Sequence, residues 1–281
     1  MTEPLAPAEE LGEIRRYADA AEFWRVAEPV VRGEPVLLSV LASTVDGCRR
    51  GGVPDASFFV VKRPGRPPFL AMHTPPHFFH LPLADPEAAS ALARFVFAEG
   101  LRPAGAGGQA DSVDAFSDVW CGRTGRGRRA VMQMGIYDLP RPPRLQWPVS
   151  GEARVAEGVD APLVDAWLAA FAAETGVPST TSALSLPDGR VWLWCDPEPV
   201  AMACRTVPAG GVARVSYVYT PPDARGHGYA SAVTAAVSAA LLDAGLRCML
   251  YTDLANPTSN GIYAALGYRR LAESVDVEFT A

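Results

Sequence analysis

A chain of 281 residues that is 49% apolar and 20% charged is a globular protein, long enough for one large core or two ordinary ones, and the pattern below favours two. Its net charge of -6 and pI near 5.3 argue against a long polyanion as the main partner, because nucleic-acid affinity is largely phosphate neutralisation by Lys and Arg. A local basic site for one small phosphorylated ligand is still allowed. The apolar runs fall short of the roughly 18 residues that a membrane span needs. The opening segment MTEPLAPAEELGEIRRYADA carries acids and arginines where a signal peptide has its apolar centre, so a soluble, cytoplasmic protein is expected.

Phe23, Val26, Val30 and Val31 recur at helical spacing, and the apolar stretch 36–45 resumes after Gly33 and Pro35, which predicts two helices. Short β-like runs follow at 57–62, 69–73 and 77–81, split by RPGRPP and TPP. A helix is expected over 86–99, with Ala89, Leu92, Phe95 and Val96 as its stripe. The segment GAGGQ reads as a Gly-rich loop leading to a helix with Phe116, Val119 and Trp120, and 129–137 reads as a strand. The stretch 139–151, LPRPPRLQWPVSG, contains four prolines and suits neither a helix nor a central strand, so the domain boundary is placed there, giving domains 1–145 and 146–281.

Beyond it, Asp160 is expected to cap a helix with Leu163, Trp167 and Phe171 on its stripe, Glu174 near its end and Gly176 as its stop. Strands are expected at 190–195, 200–207 and 212–220. After the turn PPDARGHG comes a helix with Val233, Val237, Leu241 and Ala244 on one face, then a strand at 247–254. A short helix at 257–266, capped by Asn256 and stopped by Gly267, and an extended run at 268–280 complete the chain. The cysteines Cys48, Cys121, Cys195, Cys204 and Cys248 are odd in number and far apart in apolar surroundings, which suits small core residues and not a disulfide or zinc framework.

Two segments carry chemistry. In the first, Arg225, Gly226, His227, Gly228, Tyr229 and Ala230 join a strand to a helix, and glycines there let backbone N–H groups close around an anion such as a pyrophosphate, aided by the helix dipole. An ordinary glycine turn has the same spacing. In the second, NPTSNGIYAALGY, helical spacing puts Asn256, Asn260 and Tyr263 on one face. A phenol, with a pKa near 10, can protonate a departing thiolate. A plain N-cap and a half-buried core tyrosine would give the same pattern.

Together these segments resemble the GNAT acetyltransferase superfamily. Its pyrophosphate motif, Arg/Gln-x-x-Gly-x-Gly/Ala, is matched by Arg225, Gly228 and Ala230, and its later Asn…Tyr…Gly-aromatic motif by Asn256, Tyr263, Gly267 and Tyr268, over about 130 residues from Gly151 onward. The resemblance implies a mixed α/β (α+β) fold of two GNAT-like domains, each a mostly antiparallel mixed sheet flanked by helices, with a strand splay for acetyl-coenzyme A in the C-terminal one. It implies acetyl-CoA as donor, with its pyrophosphate on the turn 225–230 and its pantetheine along Tyr217, Val218, Tyr219 and Thr220. Asn256, Ser259 and Asn260 join this coenzyme set, and Tyr263 becomes the proton donor. The implied reaction is direct transfer of acetyl to a primary amine of a small molecule in a ternary complex, without metal, nucleic-acid or membrane partners, by a monomer or homodimer. Transfer of another acyl group, acylation of a peptide or protein amine, and a non-catalytic acyl-CoA sensor are the alternatives.

The first half is more weakly similar to the degenerate half of tandem GNAT proteins, through FLAMHTPPHFFHLPLA, DAFSDVW and GIYDL. After its strand 77–81 it reads ADPEAASALARF, with acids where the anion motif belongs, so no coenzyme site is expected there. Glu174, expected to be partly buried with a raised pKa, and Asp253 are the candidate general bases. Two further patterns do not support a site: Gly105, Gly107 and Ala110 as a dinucleotide fingerprint, because Pro103 precedes them where a strand should be, and His73, His77 and His80 as a metal site, because one extended strand points His77 and His80 to opposite faces.

Overall fold

Capping side chains and glycines delimit most helices of this chain, and short β-rich runs fill the intervals. The computed structural model describes residues 12–176 and 189–281; the first eleven residues, part of the segment read above as unlike a signal peptide, lie outside them. The elements are β1 (Glu13–Tyr17), α1 (Ala20–Gly33), α2 (Ser39–Arg49), β2 (Ser57–Lys62), β3 (Phe69–His73), β4 (Phe79–Leu81), α3 (Pro86–Ala98), β5 (Gly105–Gln109), α4 (Ala110–Thr124) and β6 (Gly127–Leu139). They continue with β7 (Glu152–Val155), α5 (Ala161–Thr175), β8 (Val191–Cys195), β9 (Pro199–Arg205), β10 (Val212–Tyr219), α6 (Tyr229–Asp243), β11 (Arg247–Asp253), α7 (Pro257–Leu266) and β12 (Arg269–Thr280). This is the mixed α/β, mostly antiparallel organisation expected. None of the described helices is long and apolar enough to cross a membrane.

Contacts divide the chain into two compact units, Met1–Gly135 with Ala272–Ala281, and Ile136–Leu271. In the first unit the strand order is β1-β2-β3-β4-β5-β12-β6. One sheet face, with Phe59, Phe79 and Ala106, packs against Leu92, Phe116 and Trp120 of α3 and α4. Sequence reasoning takes GAGGQ for a loop, but it is β5, paired on one side with β4 (parallel) and on the other with β12 (antiparallel). Pairing of Gly108 at φ +135° is what allows it: a Cβ there would stand 2.0 Å from the Leu81 carbonyl oxygen. The glycines serve close strand approach, and with the motif itself a strand the dinucleotide fingerprint has no structural basis.

In the second unit the order is β6-β11-β10-β9-β8-β7. Ala203, Ala213, Val215 and Leu250 meet Val233 and Val237 of α6 on one face, and Met202 and Leu193 meet Val164 and Leu168 of α5 on the other. Asp160 does not cap α5 through its side chain. Its carboxylate instead takes both Nη atoms of Arg154 at 2.6 and 2.7 Å and the Glu157 N–H at 2.8 Å, which holds its pKa below the usual carboxylate value, with Arg154 as the main cause. Three of the five cysteines, Cys48, Cys121 and Cys195, are half-buried where core positions were expected; all five are free thiols.

Tyr137 and Leu139 on β6 are buried in the second unit's core, and Asp138 beside them pairs with Arg247 at 2.6 Å. Burial of two such side chains stabilises by about 1.5–3 kcal/mol each, a large share of an ordinary domain's stability. A chain beginning at Gln146, which lacks all three residues, is therefore expected to lose cooperative unfolding. Urea denaturation followed by circular dichroism checks this, and a sharp transition from a native-like spectrum would show that β6 is dispensable.

Candidate coenzyme site

Parallel strands β10 and β11 are paired from Val212↔Arg247 to Val215↔Leu250, and there the ladder stops although β10 runs on to Tyr219 and β11 to Asp253. The cause lies in β10. Its register against β9 shifts between Ser216 and Tyr219, and Tyr217 sits at φ +49°, a left-handed conformation that a tyrosine adopts only under constraint. The extra residue resets the alternation. Ala213 and Val215 face α6, the next residue on that side is Val218, and Tyr217 and Tyr219 turn to α5, against Phe171 at 5.4 Å and Trp167 at 6.2 Å between ring centroids. Beyond Val215 the two strands part as a fork whose β10 edge presents backbone donors and acceptors with no ladder partner on β11. The Thr220 hydroxyl at its end is buried and has no hydrogen-bond partner among the described residues.

The fork opens beside the start of α6. Gly226 and Gly228 adopt φ +84° and +85°, Gly228 is the N-cap without a capping side chain, and the first turn of α6 contains no acid. Its first backbone N–H groups, lacking intrahelical acceptors, form a positive rim. Arg225 does not point away from the protein: its Nε donates to the Thr220 carbonyl at 2.9 Å, and its Nη2 to both Glu174 oxygens at 2.8 and 2.7 Å. It fastens the turn to the end of β10 and to α5. His227 stacks on Tyr229 at 5.4 Å, and the Tyr229 hydroxyl donates to Asp196 at 2.6 Å, which lowers the Asp196 pKa and raises that of Tyr229. Ala230 follows in the first turn of α6.

Glu174 therefore differs from the partly buried carboxylate expected: it is 44% exposed and ion-paired. Asp253 is exposed and caps a turn by accepting the Ala255 N–H at 2.8 Å. On α7, Asn256 accepts the Ser259 N–H at 3.0 Å as a helix N-cap. Asn260 Nδ2 donates to the carbonyls of Asp253, Leu254 and Asn256 at 3.0, 3.3 and 2.8 Å, and its Oδ1 accepts from Tyr137 at 3.3 Å. The two amides thus tie the corner between β11 and α7. Tyr263 is buried in the same apolar cluster as Val215 and Leu250, the last paired residues of the fork, with its ring edge-on to Tyr268 at 5.8 Å. Burial pushes its phenol up to about 12, and its hydroxyl makes no hydrogen bond among the described residues.

The first unit has the same order of strand, helix and parallel strand without the fork or the rim. There β4 is paired with β5 to its last residue, Leu81↔Gly108. The N-terminus of α3 is filled by the carboxylate of Asp85, which accepts the Ala88 N–H at 3.1 Å and, with Glu87, pairs with Arg63. His73, for its part, stacks on Phe79 at 5.4 Å and has its pKa lowered by desolvation and by Arg16. Among the described residues no group of three or more His, Cys, Asp or Glu is placed to hold a metal ion.

Sequence reasoning missed Tyr137, Ser150, Trp194 and Asp196, which brace the site from other elements; only the exposed tryptophan of the Pro-rich segment, Trp147, hints that this stretch belongs to it. If Asn260 is chiefly a brace, Asn260→Ala should destabilise the protein by about 1–3 kcal/mol, since it strips donors from carbonyls at the corner. Thermal unfolding measures this. An unchanged melting temperature with weakened coenzyme A binding would make Asn260 a ligand contact instead.

Residues 195–277 match the family model described as FR47-like protein. No curated protein sequence matches the chain. Among solved structures, a GNAT-family acetyltransferase from Colwellia psychrerythraea is similar at 13% identity and TM-score 0.60, covering 95% of this chain and 100% of its own. A tandem GNAT protein from the clavulanic acid biosynthesis pathway is similar at 12% identity and TM-score 0.53, covering 95% and 98%. A GCN5-related N-acetyltransferase from Kribbella flavida is similar at 19% identity and TM-score 0.50, covering 79% and 86%. With its fork, its open helix start and its repeated order of elements, the chain has the fold of the GNAT superfamily in a tandem arrangement.

Proposed function

We propose that the second unit is an acetyl-CoA-dependent N-acetyltransferase acting on a primary amine of a small molecule, by direct transfer in a ternary complex. The observation that carries this reading is the fork between β10 and β11 beside an acid-free helix N-terminus. The residues present fit the coenzyme. The backbone of Tyr217 to Thr220, without a ladder partner on β11, and the orphan Thr220 hydroxyl suit the amides of a pantetheine arm, and a Cβ added at Gly226 would meet nothing within 4 Å, so the turn is open to a diphosphate. When bound, acetyl-CoA supplies an activated thioester carbonyl to the amine. The N–H groups at Gly228, Tyr229 and Ala230 would orient the diphosphate, and the fork would admit the arm between the two strands.

Tyr263 holds the proton that the departing sulfur needs. Its elevated pKa makes it a weaker acid but keeps it protonated at every working pH, and the proton it gives is replaced by the one shed by the amine nitrogen as the amide forms. A cysteine acyl-enzyme is disfavoured: burial pushes the Cys204 thiol up to about 12 and raises Cys248. With Glu174 held by Arg225 and Asp253 capping a turn, the amine enters as its neutral fraction, and Glu174 acts as a positioning residue for the coenzyme turn. The same engagement of both carboxylates favours, as a second reading, an acyl-CoA sensor without turnover. Thioester consumption over a panel of amines separates the two.

Tyr263→Phe should lower single-turnover rates by roughly 10²- to 10⁴-fold with little change in coenzyme A affinity, because the ring still packs. Nearly full rates would return Tyr263 to a packing role. Glu174→Gln should raise the KM for acetyl-CoA by about threefold, the scale of an exposed ion pair, and leave the pH profile of kcat unchanged. The kcat/KM for the amine should rise with pH towards the pKa of the amine itself, and Tyr263 adds no alkaline limb below about 12. Loss of an acidic limb in Glu174→Gln, with a hundredfold fall in kcat, would reinstate Glu174 as the base.

A further inference from the structure

We propose that Trp147 is a coenzyme-binding residue whose indole N–H donates to the diphosphate held at the start of α6; this rests on the coenzyme reading above. Trp147 is 58% exposed, unusual for so large an apolar ring, and its N–H makes no hydrogen bond among the described residues. Its place is specific: Nε1 lies 3.2 Å from where a Cβ of Gly228 would stand, and Val149 Cγ2 lies 3.1 Å from the same point. The absence of a side chain at Gly228 thus brings the donor edge of the indole against the backbone of the anion-binding turn.

The segment that carries Trp147 is held in place independently of any ligand. Pro148 stiffens it, Trp194 Nε1 donates to the Ser150 carbonyl at 2.7 Å, and the Ser150 hydroxyl donates to Asp196 at 2.8 Å. Asp196 in turn accepts from Tyr229, the first residue of α6, at 2.6 Å. The indole is therefore anchored to the same helix turn as the N–H groups it would assist, and binding need not order a loose chain. A neutral N–H facing an anion adds a charge-assisted bond.

The test is calorimetric titration of the full chain with coenzyme A, for the wild type and for Trp147→Phe, which keeps an aromatic ring and removes the donor. A five- to tenfold loss of affinity in the variant, with an unchanged melting temperature, is expected. A coenzyme-dependent change in tryptophan emission in the wild type, absent from Trp147→Phe, is the second expected sign. Equal affinities and equal emission responses would overturn the role of Trp147 while leaving the coenzyme site standing. Failure of the wild type to bind coenzyme A at all would overturn both.

Discussion

An interrupted ladder between two parallel strands is the constraint from which the rest of the second unit follows. A strand inside a sheet normally satisfies its backbone on both sides, and unpaired groups there cost as much as lost hydrogen bonds. Here Tyr217 at φ +49° breaks the register of β10, so Ser216 and Tyr219 keep partners on β9 while the stretch from Ser216 to Tyr219 leaves β11. Aromatic packing holds the strain in place: Phe171 and Trp167 on α5 fix Tyr217 and Tyr219 from one side. Backbone strain that surrounding contacts over-determine is a mark of function, and what it creates is a slot lined by main-chain donors and acceptors.

The two units show how one supersecondary arrangement is turned on or off by a few side chains. In the first, Asp85 places its own carboxylate at the start of α3, Arg63 neutralises it, and glycines in β5 let the parallel strands close to the end. In the second, glycines stand in the turn instead, no acid occupies the helix start, and the strands part. The electrostatics are the same in both, since each helix offers a partial positive charge at its N-terminus. The first satisfies it internally. The second leaves it for a ligand.

Polar side chains around the site mostly position one another. Arg225 links the turn to β10 and α5, Asn260 links α7 to β6 and β11, and Asp196 links α6 to the segment bearing Ser150. Such bracing is what a preorganised site needs: few groups touch the ligand, and their orientation is preset by others. Tyr263 departs from this pattern, with an aromatic neighbour but no hydrogen-bonding brace among the described residues, and its burial alone sets its acidity.

The sequence by itself determined the order of most elements, the glycine turn before α6, the Asn cap and Gly stop of α7 and the absence of an anion turn in the first half, because these are local: each depends on side chains within a few residues of the backbone they direct. It misread GAGGQ, since close approach to Leu81 is a demand made by a strand that Gly108 meets only in the fold, and it gave Asp160 a helix to cap when Arg154 had a stronger claim on its carboxylate. Only the tertiary structure decided that Glu174 is bound by Arg225, that Asn260 spends its amide on carbonyls, that the strands part after Val215 and that Trp147 meets Gly228. Each of these joins residues far apart in the chain or counts the partners a polar group has already found. Local periodicity records which way a side chain faces, and it holds no information about what that side chain meets there.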